Sequence, residues 1–130
     1  MPQAKTVEKR VAQILAYLES KYAAGYPVEL KWRKILIDPD EPVKCRKEYA
    51  AETYLESGKI IILMSRKRNR TYDYAIDTII HEYAHARDWR HARIEGREDR
   101  KIHGPEWALY YGEMYTDIHD EDGWKLSREF

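Results

Sequence analysis

The chain has 130 residues, with 23 basic and 23 acidic side chains, so its formal net charge at neutral pH is zero. This length accommodates one hydrophobic core, and no Pro/Gly/Ser-rich linker or internal repeat divides it, so we predict a single domain over residues 1–130. The single cysteine excludes a four-cysteine zinc site, and the lack of a bilayer-spanning apolar run or signal-peptide segment favours a soluble, cytoplasmic protein.

The N-terminal half predicts a helix followed by extended segments. Apolar residues recur at helical spacing within residues 6–22, and Gly25 and Pro27 then act as stop signals. Partial alternation predicts a strand over residues 28–37, and residues 44–55 form a second extended segment. Gly58 marks a hairpin turn before the apolar run 59–64, which predicts an inner strand.

The next segment predicts a helix that begins at Thr71 or Asp73, two candidate caps, continues towards Arg93 and stops near Gly96. At about 100° per residue, its apolar side chains gather on one side and two histidines lie on roughly the opposite side. The apolar residues are Ile76, Ile79, Ile80 and Tyr83. We therefore expect one face to pack on the core and the other to border a cleft.

The two histidines of this helix are His81 and His85, and Glu82 follows the first of them. Residues i and i+4 stack on one helix face, so both imidazoles can reach one metal ion while Glu82 lies close enough to act on a bound water. This His-Glu-x-x-His pattern is the zinc-binding core of metalloproteases and predicts a catalyst. The alternative interpretation is a polar helix face with two solvated histidines.

A catalytic zinc site of this kind needs a third protein ligand, and three downstream residues are candidates. His91 gives the ligand spacing of the metzincin proteases and of the bacterial rRNA-maturation endoribonucleases. Both patterns have a helix-breaking glycine where this chain has Asp88, and a helix that continued would carry His91 about 240° round from His85. His103 is the second candidate. Glu113 would match the gluzincin arrangement, although nothing distinguishes it from its acidic surroundings.

His103 opens a second motif, His103-Gly104-Pro105-Glu106-Trp107. Gly104 permits a close turn, and Pro105 suits the first turn of a new helix with Glu106 near its positive end. Such a junction is also an ordinary loop-to-helix connection. Its coincidence with the first motif favours a shared site.

The two motifs together resemble the SprT-like zinc metalloproteases, which include Spartan. Their signature is a His-Glu-x-x-His helix, a variable loop and a His-Gly-Pro-Glu-aromatic turn, and the resemblance covers roughly residues 72–107. It implies that His81, His85 and His103 bind Zn²⁺ and that Glu82 is the catalytic base.

Two features of the family bear on how far the resemblance extends. Many relatives that act on DNA-crosslinked proteins carry a C-terminal zinc ribbon or another DNA-binding segment, and the single cysteine here rules out such a ribbon. The repair function of those relatives is therefore not transferred. Small SprT-like domains without a ribbon occur in bacterial and phage genomes, and for a phage protein the expected compartment is the host cytoplasm.

The predicted fold class is α+β: an N-terminal helix, a roughly three-stranded sheet, a zinc helix and a C-terminal helix, the order of a minimal zincin domain. We expect a zinc-dependent endopeptidase whose partner is a protein or peptide, added as a strand to a sheet edge. Two alternatives stay open: a metal-dependent endoribonuclease that uses His81, His85 and His91, and a non-catalytic binding module braced by zinc. The sequence does not determine the oligomeric state.

Basic and aromatic residues near the motifs allow further interpretations. Acidic neighbours could pair with many of the basic residues, so a salt-bridged surface is the default and a DNA-binding rim is a hypothesis. These basic residues are Arg66, Lys67, Arg68, Arg70, Arg87, Arg90, Arg93, Arg97, Arg100 and Lys101. Trp107 is expected to pack behind His103, while either Tyr110 or Tyr111 could reach the cleft and stabilise an oxyanion. Cys45 is assigned no role.

Overall fold

The computed structural model describes residues 2–37, 42, 47–94 and 103–120, and for residues 2–5, 90–94 and 120 it describes the backbone alone. The elements in chain order are α1 (Pro2–Lys21), β1 (Val28–Arg33), β2 (Ala51–Glu56), β3 (Lys59–Ser65), α2 (Tyr72–Ile94) and α3 (Pro105–Asp120). The protein is thus α+β, with three helices and a small mixed sheet, and the predicted fold class is confirmed.

Two strands are shorter than the sequence predicts. The first ends at Arg33 rather than at residue 37, because its partner strand β3 ends at Ser65, which is paired with Arg33. The second begins at Ala51 rather than at residue 44. Cys45 and Gly96 lie outside the described residues, so the expectations that rest on them stay as predictions.

Strand β3 is the centre of the sheet, in the order β1-β3-β2. It pairs in parallel with β1 and antiparallel with β2. The β2–β3 connection is a two-residue turn in which Ser57 and Gly58 have φ values of 52° and 80°. Positive φ at both central residues is the geometry whose twist matches that of a hairpin, which explains the glycine.

The main core lies between the sheet and helices α1 and α2. Ile60, Ile62 and Met64 alternate along β3 and enter this core, while Ile61 and Leu63 on the other face of the strand are also buried. Helix α1 contributes the stripe Val7, Val11, Ile14, Leu15 and Leu18. Each such side chain contributes roughly 1.5–3 kcal/mol when fully buried. Among the described helices, none combines the length and apolar character needed to cross a membrane.

A hydrogen-bonded turn fixes where α2 begins. The buried Asn69 donates from Nδ2 to the carbonyl oxygens of Ser65, 2.7 Å away, and Ala50, 2.8 Å away. The Thr71 hydroxyl then accepts a hydrogen bond from the backbone N–H of Tyr74 at 3.4 Å, so Thr71 is the cap of the helix. The turn therefore connects the end of the sheet to the first turn of α2.

A buried carboxylate joins α1 to α3. Asp117 accepts hydrogen bonds from the hydroxyls of Tyr17, at 2.8 Å, and Tyr22, at 2.6 Å, and its Oδ2 lies 2.8 Å from Lys21 Nζ. Burial, followed by the bond to Asp117, raises the pKa of both tyrosines, which keeps their hydroxyls protonated as donors. The sequence shows Asp117 as one of several acidic residues near its C-terminal end and gives no sign of this network.

Replacement of Asp117 by Asn is expected to lower the free energy of unfolding at pH 7 by about 2 kcal/mol, because the single oxygen of an amide cannot replace the two carboxylate oxygens that accept from the half-buried hydroxyls of Tyr17 and Tyr22. Burial alone would raise the pKa of Asp117, but the hydrogen bonds from Lys21, Tyr22 and Tyr17 outweigh it and lower the pKa. The stabilisation is therefore complete above the unfolded-state pKa of about 3.9 and is lost as the pH falls through the lower folded-state pKa.

Urea denaturation of wild type and Asp117→Asn, at pH 7 and at several values below pH 4, tests this. The difference in the free energy of unfolding between wild type and Asp117→Asn should become smaller at low pH. Asp73→Asn is the matched control, since Asp73 is an exposed carboxylate in the first turn of α2, and it should cost less than about 1 kcal/mol. An equal loss in both variants, or a difference that does not change with pH, would contradict the assignment.

Candidate metal centre

Three histidines meet where α2 and α3 pack together. His81 and His85 lie on α2, and His103 lies two residues before α3 begins. The Nε2 atom of His81 is 3.3 Å from Nε2 of His85 and 3.3 Å from Nε2 of His103. One ring nitrogen from each histidine takes part, and these three nitrogens all lie within 4.8 Å of one another. The three residues that the sequence suggests as ligands are therefore brought together and could hold a metal ion.

The convergence of three ring nitrogens needs a positive charge or a shared proton between them. A neutral imidazole has one N–H and one lone pair, so a single proton on His81 Nε2 could satisfy only one of its two neighbours. A cation accepts all three lone pairs at once. The geometry is thus typical of a metal ligand set.

Burial keeps the imidazoles of His81 and His85 neutral. Desolvation, together with the charge of the neighbouring His103, lowers the pKa of His81 to about 4. Desolvation and the charges of His81 and His103 lower the pKa of His85 to about 3. Both rings are therefore neutral near pH 7, the form in which histidine binds metals.

Trp107 of α3 packs against the whole cluster. Its ring centroid lies 4.9 Å from that of His81, 5.5 Å from that of His85 and 4.3 Å from that of His103. Its indole N–H also donates to the backbone carbonyl of His81 at 3.3 Å. The predicted contact with His103 is confirmed, and the additional bond ties α3 to the histidine-bearing turn of α2.

Glu82 is buried beside the cluster and has a partner from the sheet. Its Oε2 lies 3.7 Å from Nε2 of His81. Its Oε1 accepts a hydrogen bond of 2.7 Å from the hydroxyl of Thr53, a buried residue of β2. The sequence identifies Glu82 but not Thr53, which lies 29 positions earlier and belongs to no motif.

The two tyrosines that the sequence leaves open occupy different places. Tyr111 stacks on Trp107 with an interplanar angle of 11°, and its ring centroid lies 6.1 Å from that of His81. Tyr110 instead packs under the guanidinium of Arg87, 4.3 Å away. Of the two, Tyr111 is the one beside the histidine cluster.

Of the other two candidate ligands, His91 and Glu113, only Glu113 has a described side chain. Helix α2 continues through Asp88 to Ile94, so the position that would need a helix-breaking glycine is helical. The side chain of His91 is outside the described part of the chain. Glu113 forms an ion pair with Arg87 at 2.8 Å and does not belong to the ligand set found among the described residues.

Several residues of the suggested basic rim already have partners. Arg66 pairs with Glu8 at 3.3 Å, and Lys67 pairs with Glu48 at 2.6 Å. Arg87 pairs with Glu113, as noted above. These pairs agree with the default interpretation of a salt-bridged surface. The side chains of residues 90–102 are not described, and DNA binding stays a prediction.

Mass spectrometry of the native protein should find one metal ion per chain in the wild type and a reduced content in His103→Ala, because that change removes one of three ligands. Two matched controls should retain the metal. His119→Ala removes a histidine of α3 that contacts Asp77 rather than the cluster, and His91→Ala removes the ligand of the shorter spacing. Loss of metal in His91→Ala with retention in His103→Ala would overturn the assignment.

We compared the whole chain with known proteins. No protein-family model, no curated protein and no solved structure matches it.

Proposed function

We propose that the chain is a SprT-like zinc metallopeptidase domain that cleaves internal peptide bonds in proteins or peptides. The observation that carries the proposal is the convergence of His81, His85 and His103 with the Glu82 carboxylate beside them. Three protein ligands with a carboxylate next to the site are the composition of a hydrolytic zinc centre, whereas structural zinc sites are closed by four protein ligands.

The three ligand atoms lie within 4.8 Å of one another, and two of their spacings agree with zinc as the metal. Tetrahedral zinc with Zn–N bonds of about 2.0–2.1 Å places its ligand nitrogens about 3.3–3.4 Å apart. The two Nε2–Nε2 distances from His81 are both 3.3 Å. Zinc bound there would lower the pKa of a water molecule and polarise a substrate carbonyl.

Glu82 has the position of a general base. Its Oε2 is on the side of the histidine cluster, 3.7 Å from His81 Nε2, while Oε1 is engaged by Thr53. In the proposed reaction the carboxylate takes a proton from the attacking water and delivers it to the departing amine nitrogen. Glu82 is a reacting group rather than a metal ligand.

Strand β2 has the position of a substrate-binding edge. It pairs with β3 on one side, and no other described strand pairs with it. It also contacts α2 directly through the bond from Thr53 to Glu82. An extended peptide that added to β2 by main-chain hydrogen bonds would therefore lie next to the base, and such binding needs few side-chain contacts.

Of Tyr110 and Tyr111, Tyr111 is better placed to stabilise the oxyanion of the proposed reaction. Its ring lies beside His81 and is held by stacking on Trp107. Burial, followed by the charges of Asp77 and Tyr115, raises the pKa of its hydroxyl, which therefore stays protonated. In the proposal this hydroxyl donates to the oxyanion that forms during attack on the carbonyl.

The two alternatives are less well supported. The endoribonuclease alternative uses His91, and the unbroken helix through Asp88 argues against the turn that this spacing requires. A module in which zinc is only a brace has no use for a carboxylate beside the ligands. Such a module would keep its function when Glu82 is replaced by Gln.

Replacement of Glu82 by Gln is expected to lower the rate of casein cleavage by about 10²–10⁴-fold, the usual contribution of a general base. Zinc content should not change, because Glu82 is not a ligand. Turnover is measured with casein and with a quenched fluorescent peptide on zinc-loaded protein.

Glu113→Gln is the matched control for this experiment. Glu113 lies on α3 in an ion pair with Arg87, so this variant should keep both zinc and activity. Full activity in Glu82→Gln would remove the basis of the mechanism. Cleavage of RNA in place of casein by the wild type would favour the endoribonuclease alternative.

A further inference from the structure

The Glu82 carboxylate is fixed by a side chain that no motif contains. Glu82 and Thr53 are both buried, and the hydrogen bond between Thr53 Oγ1 and Glu82 Oε1 is 2.7 Å long. The same hydroxyl lies 3.4 Å from the backbone carbonyl of Glu82. An O–H···O bond is strong near 2.7 Å and weak at 3.4 Å, so the carboxylate is the dominant partner.

The donor is held more rigidly than the acceptor. Thr53 is β-branched, which restricts its first side-chain torsion, and its backbone is paired with Ile62 of the central strand. Glu82 has three rotatable side-chain bonds and would lose conformational freedom on being fixed. The rigid sheet therefore determines where the flexible carboxylate lies.

We infer that Thr53 is a positioning residue: by binding Oε1, it holds the Glu82 carboxylate with Oε2 towards the histidine cluster. The role rests on the proposed function, because it places the general base of that reaction. The inference goes beyond that function, because it makes β2, the proposed substrate edge, also the strand that orients Glu82. A single strand thus sets the register of the substrate and the position of the proton acceptor.

Substitution of Thr53 by Val and by Ser distinguishes the effect of the hydroxyl from the effect of the side-chain shape. Thr53→Val keeps the branched shape and removes the donor, so kcat should fall by about 10–100-fold, as expected when a reacting group is misplaced by about an ångström. KM and zinc content should stay close to wild type. Thr53→Ser restores the hydroxyl and should recover most of the lost kcat.

The matched control is Thr78→Val on α2. Thr78 also donates its hydroxyl, to the backbone carbonyl of Tyr74 at 2.8 Å, and it lies one turn before Glu82 on the same helix. This variant should keep the kcat of the wild type. Equal losses in Thr53→Val and Thr78→Val, or full kcat in Thr53→Val, would overturn the positioning role.

A second measurement does not depend on activity or on the folding of a Thr53 variant. The buried hydroxyl proton of Thr53 should exchange slowly enough to be seen by NMR, and its chemical shift should change in Glu82→Gln, where an amide replaces the carboxyl acceptor. An unchanged resonance would overturn the inference. If zinc-loaded wild type cleaves no peptide, the proposed function fails, and a shift of this proton still supports the placement of Glu82 by Thr53.

Discussion

Helix α2 is buried on nearly all sides between residues 75 and 88, and this burial governs the rest of the site. One side packs on the apolar core through Ile76, Ile79, Ile80 and Tyr83. The other side carries His85, Glu82 and Asp88, each less than a tenth exposed. Polar groups placed so deeply are costly unless neighbouring elements supply partners. The sheet and α3 supply these partners to the polar side of the helix.

Each partner of that polar side comes from a different element. Thr53 of β2 bonds Glu82, and Trp107 of α3 contacts the histidines and the carbonyl of His81. The depressed pKa values of His81 and His85 follow from the same burial. An environment that disfavours protons on these two rings, while one nitrogen of each converges with one of His103, is suited to a metal cation instead. The Asp117 network belongs to the same assembly, since it fastens α3 to α1.

The parts that sequence reasoning predicted are those governed by local spacing. Four-residue periodicity places His81 over His85, and the glycine after Ser57 marks the hairpin. The pairing of His103 with the α2 histidines was suggested by a resemblance, and the geometry agrees with it. The parallel pairing of β1 with β3 and the bond from Thr53 to Glu82 were not predicted. Both join residues far apart in the chain, for which no local pattern exists.

The histidine cluster combines two positions on one helix with a third position outside that helix. His81 and His85 share a helix, so one residue inserted between them would rotate one ring by about 100° away from the other. His103 lies two residues before α3, and Trp107 of α3 contacts its ring and donates to the carbonyl of His81, so the packing of α3 on α2 sets its place. In evolutionary terms, helix periodicity constrains the spacing of the first two histidines, whereas contacts between two helices constrain the third.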